Sequence, residues 1–529
     1  MKMIAGIALK NLPSKIMLIT YILLSIAVGF LILYSNRLLS ILFDHDFLSQ
    51  DTRVFLPMFL LTASLFLSVF SLGLLNAYLI QKLKWECDAK MKEHYIMKLL
   101  KSDYNYFINK EAPGIWSLLS SATSSAANVF QLFVSSISRI VSFVFFGVVV
   151  FSVDFYAGIF SIAIMPLYFL ATVSVGGAFM QQQQRIMETS RDLTIVAQEA
   201  FKNVPVAKTK NAYDFFVMRI MKVQNLIAKL TRRFNVLQQY VGDVTSIIAI
   251  LAPIAVLFGV IQLSSEQVIN TGDIIVLFIN IPLFLGGFRN IYALLINYKA
   301  FKPGLSHLSE LDAIPTEPIG EMDINQFKSL ETKNVIVRLG DKMICVPNIN
   351  IKEGEKVMLS GESGVGKSTL FNILLGLILD YEGDILVNGI NLRLINLSSL
   401  RRVFGVSLQN TNVLTLTLKE NILLGLENVK NIDEVLKLSG LTRQFEEKGS
   451  QILNDKVMSG GEKSRLGLAQ LLITEPCVML IDETFSNVDE EMESSIIRKL
   501  FEKYPEKTFV CISHRIASKK FFDRVVSFG

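Results

Sequence analysis

Along its first three hundred residues the chain alternates long apolar blocks with polar ones. Six apolar blocks, 16–34, 54–80, 129–153, 155–179, 241–263 and 274–298, carry few charges. Each approaches or exceeds the run of about 20 apolar residues that a helix needs to cross a bilayer. Little more than Asp154 separates the third from the fourth, which predicts a tight hairpin. The polar blocks between spans two and three and between spans four and five hold good helix formers without a Gly/Pro-rich linker. They are read as the membrane helices continuing into water, each pair joined by a short turn. The turns fall in two aromatic-rich segments, 103–116 and 211–219, the first containing Pro113 and Gly114 as a helix-stopping signal. Exposed aromatics there suit docking on another domain, and packing within the bundle suits them equally. The glutamine run 181–184 reads as a solvated helix face.

Charge orients the bundle. Lysine and arginine crowd the two long connecting segments, from Lys82 to Lys110 and from Arg185 to Arg233, whereas the opposite loops hold Asp44, Asp46, Asp51, Asp154 and Glu266, with only Arg37 and Arg53 near them. Positive residues mark the cytoplasmic side, so both termini and both connectors are expected in the cytoplasm. Inside the spans lie Arg139, Asp243, Asn280 and Arg289. Such groups are costly in lipid and should face the bundle interior or a water-filled cavity. Arg139 is the favoured substrate-cavity residue, while Asp243 and Arg289 can instead snorkel from helix ends.

Beyond residue 300 the pattern changes. Pro315, Pro318 and Gly320 mark a linker, giving expected domains of 1–310, 311–324 and 325–529. Short β-like runs then alternate with helical ones, which predicts an α/β domain around a parallel sheet. The fold class is therefore multi-domain: an all-α six-helix transmembrane bundle with long cytoplasmic helices, followed by an α/β domain, which the motifs below make a P-loop ATPase domain. Composition agrees. The 529 residues are 51% hydrophobic and only 19% charged, with mean hydropathy +0.44. A net charge of +5 without a basic, aromatic-laced face argues against nucleic acid as a partner. Cys87, Cys345, Cys477 and Cys511 follow no metal-ligand spacing and are expected as small buried residues.

Gly361, Glu362, Ser363, Gly364, Val365, Gly366, Lys367, Ser368 and Thr369 follow a strand-like run and open a helix, as a phosphate-binding loop must. Glycines let backbone N–H groups turn toward phosphate oxygens at the positive helix end. Lys367 would reach the terminal phosphates and Ser368 would ligate Mg²⁺. Downstream, an apolar strand ends in Asp482 and Glu483, placing one acid for the metal and one to polarise the attacking water. These parts imply ATP and Mg²⁺ but are shared by kinases and many NTPases.

Residues 458–463, MSGGEK, just before a helix, separate those classes. Ser459, Gly460, Gly461 and Glu462 resemble the signature motif of the ABC transporter family, with Met458 for its first Leu and Glu462 for its Gln. Gln409 is similar to the family's Q-loop glutamine, residues 486–489 to its D-loop with Val488 for Leu, and His514 to its switch histidine. The resemblance covers nearly the whole chain and points to an exporter-type half-transporter. It implies catalytic roles for Glu483, His514 and Gln409, a metal set of Ser368, Gln409 and Asp482, and coupling roles for segments 103–116 and 211–219. It further implies composite ATP sites built by two chains, most simply a homodimer, with a heterodimer as the other arrangement. The sequence departs from the family at Leu339, where an aromatic usually stacks on adenine, so weaker ATP affinity or base selectivity is expected. It departs again at the end, RVVSFG, where relatives continue through another strand and helix, so the domain is either minimal or truncated.

The expected activity is ATP-driven export of a small peptide or an amphipathic or hydrophobic compound through a bacterial inner membrane. Two other readings use the same residues: a membrane-anchored ATPase that powers another complex, and an importer on the exporter fold, for a siderophore for instance. A P-loop kinase would have no use for the Ser459–Glu462 turn.

Overall fold

The computed structural model describes residues 15–44, 52–108, 112–263, 270–318, 320–339, 342–362, 364–408, 411–427, 431–454, 457–482, 490–513 and 516–528. The side chains of Arg289 and Leu339 also lie outside the described set. The chain divides into two compact units, one of residues 1–100 and 112–314, the other of 101–111 and 315–529.

Among the described residues the first unit is built of helices: α1 (Lys15–Leu42), α2 (Thr52–Leu100), then, after a break, α4 (Ala112–Val153), α5 (Phe155–Lys202), the short α6 (Val204–Thr209), α7 (Tyr213–Leu263) and α8 (Thr271–Asp312). The break holds α3 (Asn105–Ile108), which belongs to the second unit. Among the described residues, five helices are long and apolar enough to cross a membrane, in α1, α2, α4, α7 and α8. A further apolar stretch, Phe155–Leu167, opens α5 where the fourth span was expected. Large apolar side chains such as Phe30, Phe70, Ile250 and Phe258 are exposed on these helices, as a bilayer-facing surface requires.

The interior is close-packed where α4, α5, α7 and α8 meet, around Val150, Ala157, Val256, Leu277, Ile281 and Leu285. Phe143 stacks on Phe284 with ring centroids 4.9 Å apart. Polar contacts join the helices too. Asn280, fully buried, donates to Asn36 Oδ1 at 2.7 Å and to Val276 O at 2.8 Å. Asn76 donates to Ser25 Oγ at 2.9 Å, and Ser40 to Asp273 Oδ1 at 2.6 Å. Asn280 thus faces the bundle interior as expected. Asp243 is exposed and accepts from Gln239 within its own helix; Arg139 is half-buried in α4.

Two expectations are corrected. Pro113 and Gly114 do not stop a helix: both lie in the first turn of α4, where proline's missing N–H has no intrahelical partner to lose. Nor are all four cysteines buried. Cys87 and Cys511 are, but Cys345 is exposed. It sits on an edge strand where Ile344 and Val346 face the core, so the two-residue period turns Cys345 outward.

Among the described residues the second unit has two sheets. One is antiparallel: β1 (Ser329–Leu339), β2 (Lys342–Val346), β3 (Asn350–Lys352), β5 (Glu382–Val387) and β6 (Ile390–Asn391), with β1 pairing β2, β3 and β5. The other is parallel, in the order β10 (Arg524–Phe528), β4 (Lys356–Gly361), β9 (Thr508–Ile512), β8 (Val478–Asp482), β7 (Phe404–Ser407). Strands β8 and β9 are buried along their whole length, as a parallel sheet covered on both faces demands. Helices α9 (Lys367–Leu374), α10 (Leu397–Val403), α11 (Leu418–Leu423), α12 (Ile432–Ser439), α13 (Thr442–Lys448), α14 (Gly460–Leu472) and α15 (Glu490–Lys503) complete it. One core lies between the sheets and α9; a second gathers α11, α12, α14 and α15 against β8 and β9.

Candidate functional site

Parallel strands carry their carboxyl ends to one edge of a sheet, where ligands bind in α/β folds. Here the register sets Leu359 beside Ile512, Ile512 beside Asp482, and Ile481 beside Ser407. The phosphate loop leaves β4 at that edge; Asp482 ends β8 there, and Ser513 and Leu408 directly follow β9 and β7. Gln409, Glu483, His514, Ser363 and the 486–489 segment lie outside the described residues.

Backbone geometry makes the loop. Gly361, Gly364 and Gly366 have φ of +156°, +83° and +109°, values that disfavour any side chain. A Cβ at Gly361 would stand 2.4 Å from Phe528 O, so β10 closes directly on the start of the turn. Gly366 is the left-handed N-cap of α9, which leaves the first amides of that helix directed at the loop. Lys367 is almost wholly buried, its ammonium donating to Gly361 O and Glu362 O at 2.8 Å each. These bonds hold the cation over the loop. Of the two hydroxyl residues that follow, Ser368 is exposed and Thr369 buried. Glu362 is exposed and Val365 half-buried against the core.

The residues present fit Mg²⁺ on donor chemistry: the exposed Ser368 hydroxyl and the Asp482 carboxylate are the hard oxygen ligands this ion takes.

The signature turn is ordered by its own side chains. Ser459 N-caps α14 in a capping box: Glu462 N donates to Ser459 Oγ at 3.3 Å, and Ser459 N donates to Glu462 Oε2 at 2.7 Å. The bond to Oγ uses a lone pair, so the hydroxyl can still donate outward. Ser459 and Gly460 are exposed. Met458, one residue earlier, packs into the helical core, which explains why it replaces leucine readily. Burial pushes the Glu462 carboxyl up, but hydrogen bonds from Ser459 and the charges of Lys448 and Arg465 outweigh it and hold it below the ordinary range.

One buried acid escaped the sequence reading. Glu493, 1% exposed, accepts from Ser513 Oγ at 3.2 Å, directly before His514. Its signal was a glutamate sharing the inward face of α15 with Ile496, Ile497 and Leu500.

Comparison with known proteins agrees with this geometry. The family profile "ABC transporter transmembrane region" matches residues 18–288 and the profile "ABC transporter" matches 346–486. The lactococcin-A transport/processing ATP-binding protein LcnC of Lactococcus lactis subsp. lactis is 23% identical over 488 residues, covering 87% of this chain and 67% of that protein. An ATP-dependent lipid A-core flippase of Haemophilus influenzae is 26% identical over 380 residues, covering 68% of this chain and 64% of its own. A bacterial Atm1-family ABC exporter solved with ATP bound superposes with a TM-score of 0.81 at 17% identity, across 97% of this chain and 93% of the other. With its membrane helices, its glycine-built phosphate loop and its serine-glycine turn all matched, the chain belongs to the ABC transporter family and has the fold of an exporter half-transporter.

Proposed function

We propose that two copies of this chain export a small peptide or an amphipathic compound across a bacterial plasma membrane, with both termini in the cytoplasm. The observation that carries the reading is the presence, in one chain, of a complete phosphate loop and an exposed signature turn. Each is half of a site, and a second copy supplies the complement. In the closed pair, Lys367 and the loop amides would bind the β- and γ-phosphates of ATP, and the partner's turn would donate to the γ-phosphate from the Ser459 hydroxyl and the amides of Gly460 and Gly461. Ser368, Gln409 and Asp482 would hold Mg²⁺, which when bound neutralises charge building on the phosphates. Glu483 would polarise the attacking water and His514 contact the γ-phosphate. Lysine and arginine in the connectors support the orientation. The exposed rings of Phe201, Tyr213 and Phe215 support docking of the second connector on a nucleotide domain. The cargo class leans on the lactococcin relative's printed name and on spans without a dense charge cluster.

The test is Glu483→Gln in proteoliposomes. Hydrolysis should fall by about a hundredfold or more, the scale of a lost general base, with ATP still bound and uptake of a labelled peptide into inside-out vesicles abolished. Hydrolysis at the wild-type rate would remove Glu483 from the mechanism.

A further inference from the structure

Where α2 and α8 end, they are tied together. Tyr95 Oη donates to Asp312 Oδ1 at 3.0 Å, and Lys98 Nζ donates to Asp312 O at 2.7 Å. The two segments that follow, both in the second unit, pair in turn. Ser102 bridges Thr316 in antiparallel sense, Asp103 N donates to Pro315 O at 3.1 Å, and Glu317 N donates to Lys101 O at 3.0 Å. The first connector and the linker therefore run as one two-stranded ribbon.

That ribbon is held at one carboxylate. Glu317 accepts two bonds from Arg401, from Nη1 to Oε2 at 2.9 Å and from Nη2 to Oε1 at 2.7 Å. The Arg401 and Glu317 side chains are 34% and 25% exposed, so the pair is only partly screened, and its paired geometry is the strong form of this contact. The same guanidinium donates from Nε to Leu375 O at 2.9 Å and from Nη2 to Gly376 O at 3.4 Å. Leu375 is the C-cap of α9, the helix that begins at the phosphate loop. Arg401 itself lies on α10, which runs without a break into β7, two residues short of Gln409. The linker is seated further along the same segment, where Met322 N donates to Leu394 O, Asn396 N to Met322 O, and Ile324 N to Ser399 Oγ.

We propose that Arg401 and Glu317 form a transmission clasp: Arg401 grips the far end of the phosphate-loop helix, and through Glu317 passes its displacement to the connector–linker ribbon. The inference rests on the exporter reading and names positioning residues for coupling, outside the hydrolytic machinery. Any shift of α9 on closing around ATP acts on the Leu375 carbonyl. The bidentate pair resists both sliding and rotation, so the shift reaches residues 101–103 and the connector beyond them.

Hydrogen–deuterium exchange on the full chain in lipid nanodiscs tests this, comparing nucleotide-free protein with protein trapped by ATP and vanadate. In the wild type, exchange in 101–108 and 315–318 should change on trapping. Glu317→Ala should lose that change while hydrolysis stays within about twofold of wild type; Glu317→Gln, which keeps one acceptor, should keep part of it. Combining Glu317→Arg with Arg401→Glu rebuilds the ion pair but not the grip on Leu375. That protein should keep the ribbon protected yet lose the response to ATP, which a merely structural pair would not do. A full response in either the alanine or the swapped protein overturns the clasp and leaves the pump reading intact. A wild type that hydrolyses ATP with no change at the connector overturns the coupling reading beneath it.

Discussion

Glu462 carries a charge where the family signature usually carries a neutral amide. Its carboxylate accepts the Ser459 N–H at 2.7 Å, and an amide oxygen can accept the same bond. Glu462→Gln should therefore keep the turn while removing a negative charge from the surface proposed to meet the partner's ATP. The KM for ATP should fall roughly two- to fivefold, the scale of one mostly exposed charge interaction, as read in steady-state hydrolysis by the two proteins. The same residue sets a pH dependence. Its folded pKa lies below the ordinary 4.5, so the stabilisation from its charged form is complete above about that pH and disappears as pH falls through the folded value. Melting curves of wild type and Glu462→Gln should run parallel from pH 7 to 5 and converge only in more acid solution. Parallel curves down to pH 3 would show that the charge contributes nothing to the cap.

Among helices, the polar seam of the membrane unit invites its own measurement. Asn280→Ala removes the donor to Asn36 in a fully buried place. Interhelical hydrogen bonds of this kind contribute about 0.6 kcal/mol on average and up to about 1.7. The loss should be near the upper end because Asn36 is also buried, and it should appear as a lower unfolding midpoint in detergent with the hydrolysis rate of the surviving fold unchanged. This level also marks how far the sequence could be read. The phosphate loop was legible because its glycines are dictated by local backbone angles, and the long helices because apolar runs announce themselves over twenty residues. Ser102 and Thr316 were not legible: their pairing joins segments two hundred residues apart, neither with a strand pattern. Arg401 drew no reading from the sequence, since nothing local reveals Glu317 or Leu375 beside it. Pro113 misled because proline signals both ends of helices, and only the chain's direction on either side decides which. Cys345 misled because Met343, Ile344 and Val346 around it are all apolar, so the alternation of the strand leaves no mark in the sequence.

For the whole molecule, the proposal of paired chains makes a prediction that single mutants cannot. A chain with Lys367→Ala and a chain with Ser459→Arg should each be inactive alone. Mixed, they form one dimer in which a single site takes both defects and the other takes none. Co-purified tagged pairs should recover about half of wild-type hydrolysis if the sites act independently, whereas sites complete within one chain would recover nothing. How the bundle can move is narrowed by Asp154. This one residue is the entire link between α4 and α5; its carboxylate accepts Ala157 N at 2.8 Å, and a Cβ on Gly158 would lie 2.4 Å from the Phe151 ring. Such a joint has no slack. At this end the two helices must move together, while farther along α4 packs chiefly on α8 and α5 chiefly on α7, so any gate at their shared tip opens by parting both from their neighbours there, and the arms, about 40 and nearly 50 residues long, diverge only with distance from Asp154.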